Sequence, residues 1–316
     1  MEDCYHVPVL LNQAVEGLKV RQGGTYIDLT FGGGGHSIEI LKRMEGQGKL
    51  YAFDQDADAY DNFIHNQGLF EKYNKNFQFV RGNFRYVKNF MLYYGQENVD
   101  GVLADLGVSS HHFDDPNRGF SFRFDAPLDM RMNQGGGRTA EDIINTYDEK
   151  SIAQFLFLYG ELKNCRRMAE AIVKARKTRS VKTVGDLIEV LTPFFPKQRL
   201  KKEMAKAFQA IRIEVNQEME ALKEMLQAMQ DVVAEGGRLV VITYHSLEDR
   251  LVKNLIRTGN CEGVEHKDFF GNLQQTFEMV NKKVITPTQE EIDANPRARS
   301  AKLRIAVRTA QKKETM

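Results

Sequence analysis

Four successive glycines, Gly32 to Gly35, stand between an acid and a histidine in the run Thr25-Tyr-Ile-Asp-Leu-Thr-Phe-Gly-Gly-Gly-Gly-His36. Backbone without β-carbons lets a ligand approach closely, and amides at a helix start point outward as donors. A second acid, Asp54, closes Lys49-Leu-Tyr-Ala-Phe-Asp54, 20 positions after Gly34. At that spacing an acid can hold a ribose by its hydroxyls. Two more polar runs follow apolar stretches: Asp105-Leu-Gly-Val-Ser-Ser110 and Tyr244-His-Ser-Leu-Glu-Asp-Arg250. Their Asp105, Ser109, His245 and Asp249 are candidates for accepting a proton or stabilising a developing positive charge.

These groups need a frame that brings strand ends together. Residues 25–28, 49–54, 77–82, 99–107 and 238–243 read as strands, separated by helical patterns. Residues 7–20, 57–73 and 213–235 read as helices, the last closed by Gly236-Gly237, and Ser37 reads as the cap of the helix after the glycines. Residues 274–283 and 301–309 alternate like a closing antiparallel pair. The fold class is therefore α/β: a Rossmann-like, doubly wound sheet with right-handed crossovers. In such sheets ligands bind beyond the carboxyl ends of the strands, where strand order reverses. The first and fourth strands are expected to be neighbours there, so the glycine turn and Asp105 should share one crevice.

Residues 109–138 are rich in Gly, Pro, Asp, Asn and Arg, and 139–212 read as helices without a good strand. Residues 110–212 are thus expected to be a helical insertion between the fourth and fifth strands, for substrate recognition. Residues 1–109 and 213–316 would form the catalytic domain. From Gly160 to Ile213 there are 14 Lys and Arg against five Asp and Glu, a local net of +9 in a chain whose total is +1. Arg176-Lys-Thr-Arg179 and Lys197-Gln-Arg-Leu-Lys-Lys202 concentrate that charge as a phosphate-binding surface would. The three cysteines, Cys4, Cys165 and Cys261, lie far apart, which excludes a disulfide framework or a Cys-x-x-Cys metal site. No signal peptide and no run of membrane-spanning length is read, so a cytoplasmic location is expected. His6, His65 and His266 read as ordinary.

Two cofactor classes suit a glycine turn. A nicotinamide site wants Gly-x-Gly-x-x-Gly, and counting from Gly32 the third glycine falls at Ser37. S-adenosylmethionine has no phosphate. It needs room for a zwitterionic tail, a ribose acceptor and a wall for adenine, and Asp28, Asp54 and Phe84 match those needs. The residues alone favour a methyltransferase over a dehydrogenase.

Tyr26-Ile-Asp-Leu-Thr-Phe, Gly34-Gly-His36, Asp105-Leu-Gly-Val-Ser-Ser110, Arg118-Gly-Phe-Ser-Phe122, Tyr244-His-Ser-Leu-Glu-Asp-Arg250 and Asn295-Pro-Arg-Ala-Arg-Ser300 together resemble the bacterial 16S ribosomal-RNA cytosine-N4 methyltransferase family of the MraW type. His6-Val-Pro-Val-Leu-Leu11 and Ala207-Phe-Gln-Ala-Ile-Arg-Ile-Glu-Val-Asn216 add to the resemblance, which runs nearly end to end. It implies S-adenosyl-L-methionine as donor and an exocyclic cytosine amine of small-subunit (16S) rRNA as acceptor, with the rRNA expected to be met within the small ribosomal subunit. It carries cofactor contacts to Gly34, Gly35, His36, Asp54, Phe84, Asp105 and the position of His112. The family often has Pro-Gln after the paired serines, where this chain has His111-His112; a histidine can still hydrogen-bond there. RNA contacts are expected from Arg118, Lys201, Lys202, Arg250, Arg297 and Arg299. Phe120 or Phe122 could stack a flipped base. A monomer and a homodimer both fit the sequence. Two other readings stay open: a methyltransferase on DNA cytosine or a small molecule, and a non-catalytic ribosome-assembly factor.

Overall fold

Short apolar runs bounded by glycine and aspartate form the centre of the protein. In the computed structural model, which describes residues 8–310 apart from the side chains of Ser110 and His111, seven strands make one sheet. They are β1 (Thr25–Asp28), β2 (Lys49–Asp54), β3 (Phe77–Arg81), β4 (Val99–Asp105), β5 (Val233–Thr243), β6 (Phe277–Met279) and β7 (Lys302–Arg308). Their order is β3-β2-β1-β4-β5-β7-β6. β1 to β5 run parallel, while β7 is antiparallel to both β5 and β6. Strand order reverses at β1, which pairs with β2 on one side and β4 on the other. Buried on both faces, the parallel strands need continuous apolar sequence; Val102, Leu103 and Ala104, for example, are all fully buried.

The chain divides into two units, residues 8–107 with 219–310, and Val108–Glu218. The first holds the sheet. The second holds the helices Ala140–Thr146, Glu149–Leu158, Cys165–Thr178, Val184–Leu191 and Leu200–Asn216 around a core that includes Leu128, Ile144, Phe155 and Leu187. Two of these helices start with reciprocal capping boxes, Thr139 with Asp142 and Thr183 with Asp186. Such boxes satisfy amides that a helix start leaves without partners. Asn216 stitches the end of the unit back onto its first segment, accepting from Met132 N at 2.7 Å and donating to Met130 O at 2.7 Å.

Several expected boundaries are corrected. The helix after the glycines starts at Gly35, with Gly34 in the cap position and no side-chain cap. Ser37 lies inside it. The helical stretch 57–73 is two helices, Ala57–His65 and Gln67–Glu71. The long helix 213–235 is broken at Gln217, whose φ of 50° ends one helix before Glu218–Val232 begins. Gly236-Gly237 does not close that helix; both glycines belong to β5, which starts at Val233 and shifts register against β4 between Val99 and Gly101. His6 and the side chains of Ser110 and His111 lie outside the described residues. No helix among the described residues is long and apolar enough to cross a membrane.

Candidate active site

The glycine turn is held from below. Phe31 packs its ring against Phe63, Phe70, Phe77 and Phe79, with centroids 5.1–6.1 Å apart. A β-carbon on Gly34 would sit 2.7 Å from the Phe31 ring, and its φ is +79°, so the position accepts only glycine. Gly32 differs: an added β-carbon would meet nothing within 4 Å. That is the open side of the turn. Gly35, expected to face the cofactor, has the Pro8 ring where a β-carbon would go.

Asp54, at the tip of β2, braces the turn. Its Oδ2 accepts from Gly32 N at 2.8 Å and its Oδ1 from Asp56 N at 2.9 Å. The carboxylate stays partly exposed. The next loop is tied alongside: Asn83 Nδ2 donates to Gln55 Oε1 at 2.8 Å. Asn83 also caps the turn Phe84–Tyr86, accepting from Arg85 N at 3.0 Å, and a two-pronged Arg85–Glu224 ion pair anchors that turn. Phe84 is left half-buried in this arrangement.

The tip of β4 meets the same turn. Asp105 N donates to Thr30 Oγ1 at 2.7 Å, and Leu106 N donates to Ile242 O at 3.0 Å. Asp105 Oδ1 accepts from the Tyr244 hydroxyl at 2.8 Å, while Oδ2 lies 3.9 Å from Nδ1 of the buried His36. The glycine turn and the acid of β4 therefore adjoin. A fifth of the Asp105 side chain stays exposed. Burial pushes its carboxyl up to about 7; the Tyr244 hydrogen bond pulls it down, and the charges of Asp28 and Glu248 push it further up. Burial, then the adjacent Asp105 charge, pushes the Tyr244 phenol upward, so it stays a donor.

Asp28 is not available to a ligand, which corrects its expected role. It is fully buried, accepting from Ser37 Oγ at 2.6 Å and from Thr30 N at 3.1 Å. It ties β1 to the helix behind the turn, and burial pushes its carboxyl up to about 6.

Two of the expected catalytic groups have other work. Asp249 is gripped by Arg304 of β7 at 2.7 and 3.1 Å, with Lys302 at 3.5 Å. Burial pushes its carboxyl up, but Arg304 and Lys302 outweigh that and hold it below the usual range. A carboxylate so held is a poor proton acceptor, so its catalytic assignment is corrected to an ion pair joining the helix Ser246–Thr258 to the sheet. His245 caps that helix through Nδ1, which lies 3.4 Å from Glu248 N, and its Nε2 lies 3.1 Å from Glu248 Oε1. The buried Glu248 also accepts from Tyr244 N at 2.8 Å. Tyr244, Thr30, Asn83 and Glu248 were not singled out from the sequence. The Tyr-His-Ser run at the end of a strand was the available signal, but it does not say that the phenol turns toward β4.

Within the second unit, Ser109 Oγ and His112 Nδ1 are 3.0 Å apart, and the buried His112 ring lies 4.8 Å from Phe120. Phe120 is a core residue, and Phe122 packs edge-on against Phe208. Arg118 is 2% exposed and donates to the carbonyls of Arg131 and Met132 at 2.9 and 3.1 Å. Its expected contact with RNA is corrected: the guanidinium holds the segment Arg131–Met132 in place. Lys201, Lys202, Arg250, Arg297 and Arg299 are exposed.

Open backbone at Gly32, the partly exposed Asp54 carboxylate, the half-buried Phe84 ring and the exposed part of Asp105 suit a nucleoside carrying a cationic tail. A model of the MraW methylase family matches residues 3–309. The ribosomal RNA small subunit methyltransferase H of Phocaeicola vulgatus is 60% identical over 305 residues, covering 96% of this chain and 98% of its own. The protein of that name from Bacteroides thetaiotaomicron gives the same identity and coverage. That from Cytophaga hutchinsonii is 52% identical over 304 residues, covering 96% of this chain and 99% of its own.

Proposed function

Since this chain belongs to the MraW methylase family, we infer that it transfers a methyl group from S-adenosyl-L-methionine to the N4 amine of a cytosine in small-subunit ribosomal RNA. The cofactor supplies a methyl group already activated on a sulfonium. The protein's work is then alignment and charge. Asp54 would accept from the ribose hydroxyls, and its bond to Gly32 N fixes the turn. Phe84 would form the wall for the adenine. Asp105, ionised, would offer the cationic donor the oxygen that does not accept from Tyr244. A cytosine amine is a poor nucleophile because its lone pair is delocalised into the ring, so a nearby acceptor must localise it. Ser109, held by His112, is the acceptor proposed for that task. The unit Val108–Glu218 is proposed to recognise RNA, with its Lys201 and Lys202 on phosphates, and Arg250, Arg297 and Arg299 of the first unit are proposed as further phosphate contacts. The assembled small subunit is the proposed substrate.

The observation that carries this reading is the adjacency of the glycine turn and the β4 acid, through His36 and Asp105, beside the Asp54–Gly32 bond. The test is transfer of labelled methyl from S-adenosylmethionine to small subunits lacking the modification. Label in rRNA cytosine N4 is the expected result. Label in DNA or a small molecule but not in rRNA would sink the substrate assignment. Cofactor binding without any transfer would leave an assembly factor.

A further inference from the structure

The helix Cys165–Thr178 buries Met168, Ala169 and Ile172 against the second unit. At about 100° per residue, Arg166, Arg167, Glu170, Lys174 and Lys177 fall on the opposite side, within an arc of roughly 100°. All five are exposed. Four are cations and one is an acid. From Arg166 to Lys177 the row is about 16 Å long at about 1.5 Å per residue. Lys163, also exposed, extends it from just before the helix.

Like charges three or four residues apart on a helix repel, and a helix surface ordinarily offsets this with interleaved acids. Here the protein provides little offset. Among the described residues, none of Arg166, Arg167, Lys174 and Lys177 is in an ion pair or a hydrogen bond from its side chain. Neighbouring cations behave differently. Arg176 turns inward to donate to Ile144 O at 2.7 Å, and Arg179 pairs with Asp186. The cluster Arg176-Lys-Thr-Arg179 is thus divided by the fold: its two arginines serve the protein, and its lysine joins the outward row.

We propose that this helix face is a phosphate-binding surface that holds a stretch of the RNA substrate's backbone along the helix axis. The inference rests on the ribosomal RNA reading above and deepens it by assigning a row of contacts. Its contribution is to affinity and register and not to base choice, because phosphates carry no sequence information. A row of four cations around a single acid, none of the cations in an ion pair among the described residues, fits a polyanion, and the exposed length suits several successive phosphates.

The test uses the full chain with Arg166→Gln, Arg167→Gln, Lys174→Gln and Lys177→Gln combined. Binding to small-subunit RNA is measured across a salt series, with cofactor affinity and melting temperature measured alongside. Each phosphate contact contributes about 0.7–0.9 to the slope of log K against log salt, so the slope should fall by about 3 to 4. KM for RNA should rise, while kcat at saturating RNA and cofactor affinity stay as in the wild type. Arg166→Lys with Arg167→Lys should keep the wild-type slope, since charge is what matters. Single variants, Arg166→Gln or Lys174→Gln, should each lose roughly one unit of slope, which covers the case of a poorly folding combination. Wild-type methyl transfer to rRNA with an unmoved slope in the variants overturns the surface and leaves the rRNA reading standing. A wild-type protein that transfers no methyl to rRNA overturns the reading beneath it.

Discussion

Replacing Tyr244 by Phe removes one hydroxyl and keeps the ring. That hydroxyl donates to Asp105 at 2.8 Å and opposes the burial that pushes the carboxyl up to about 7. A hydrogen bond to a charged group is worth about 1.5–3 kcal/mol. At about 1.4 kcal/mol per pH unit, its loss raises the Asp105 titration by about one to two units. In the proposed function it is the ionised form that pairs with the cationic donor. A raised pKa confines that form to higher pH. At pH 7 the ionised share then falls from about half to between a tenth and a hundredth, so cofactor affinity should weaken about 5- to 50-fold. The assay is calorimetric titration with S-adenosylmethionine from pH 6 to 10. In Tyr244→Phe the rise of affinity with pH should move up by about one to two units and recover the wild-type plateau above it. A rise at the wild-type pH would refute the coupling between Tyr244 and Asp105. Affinity lost equally at every pH would refute it too, pointing to disturbed packing and not to charge.

Asp54→Ala should weaken cofactor binding about 10- to 100-fold, because it removes the proposed ribose acceptor and the brace on Gly32 N together; unchanged affinity by calorimetry contradicts the ribose role. Asp249→Asn should lower the melting temperature by a few degrees by loosening the grip of Arg304. It should leave kcat for methyl transfer within about twofold, and a drop of about 100-fold or more would return Asp249 to the chemistry.

The parallel core was legible because its strands are short apolar runs with glycine or aspartate at their ends, and β1 to β4 fall where that pattern puts them. The acid tips were legible for the same reason: Asp54 and Asp105 are the polar last residues of buried strands. What escaped was decided by three-dimensional partners. Asp28 and Asp54 look alike in sequence, yet Ser37 and Thr30 enclose one, fully buried, while the other stays partly exposed. Arg118 and Arg299 sit in equally polar runs, but only Arg118 has carbonyls of its own chain around its guanidinium. The break at Gln217 uses a left-handed conformation at a residue other than glycine, so no glycine marked it. The start of β5 was hidden because Ala-Glu-Gly-Gly reads equally well as a helix end.

The sheet is assembled from two stretches of chain separated by the whole helical unit. β4 emerges during synthesis with β1 on one flank, but the strand that covers its other flank, β5, begins only at Val233. At roughly 5–20 residues per second, a buried strand of the finished protein therefore waits on the order of 10 s with its outer hydrogen-bonding edge uncovered. An uncovered apolar edge is a template for pairing with another chain. The nascent protein is thus most vulnerable to misassembly while the ribosome is translating the helical unit, and a pause there would lengthen the exposure.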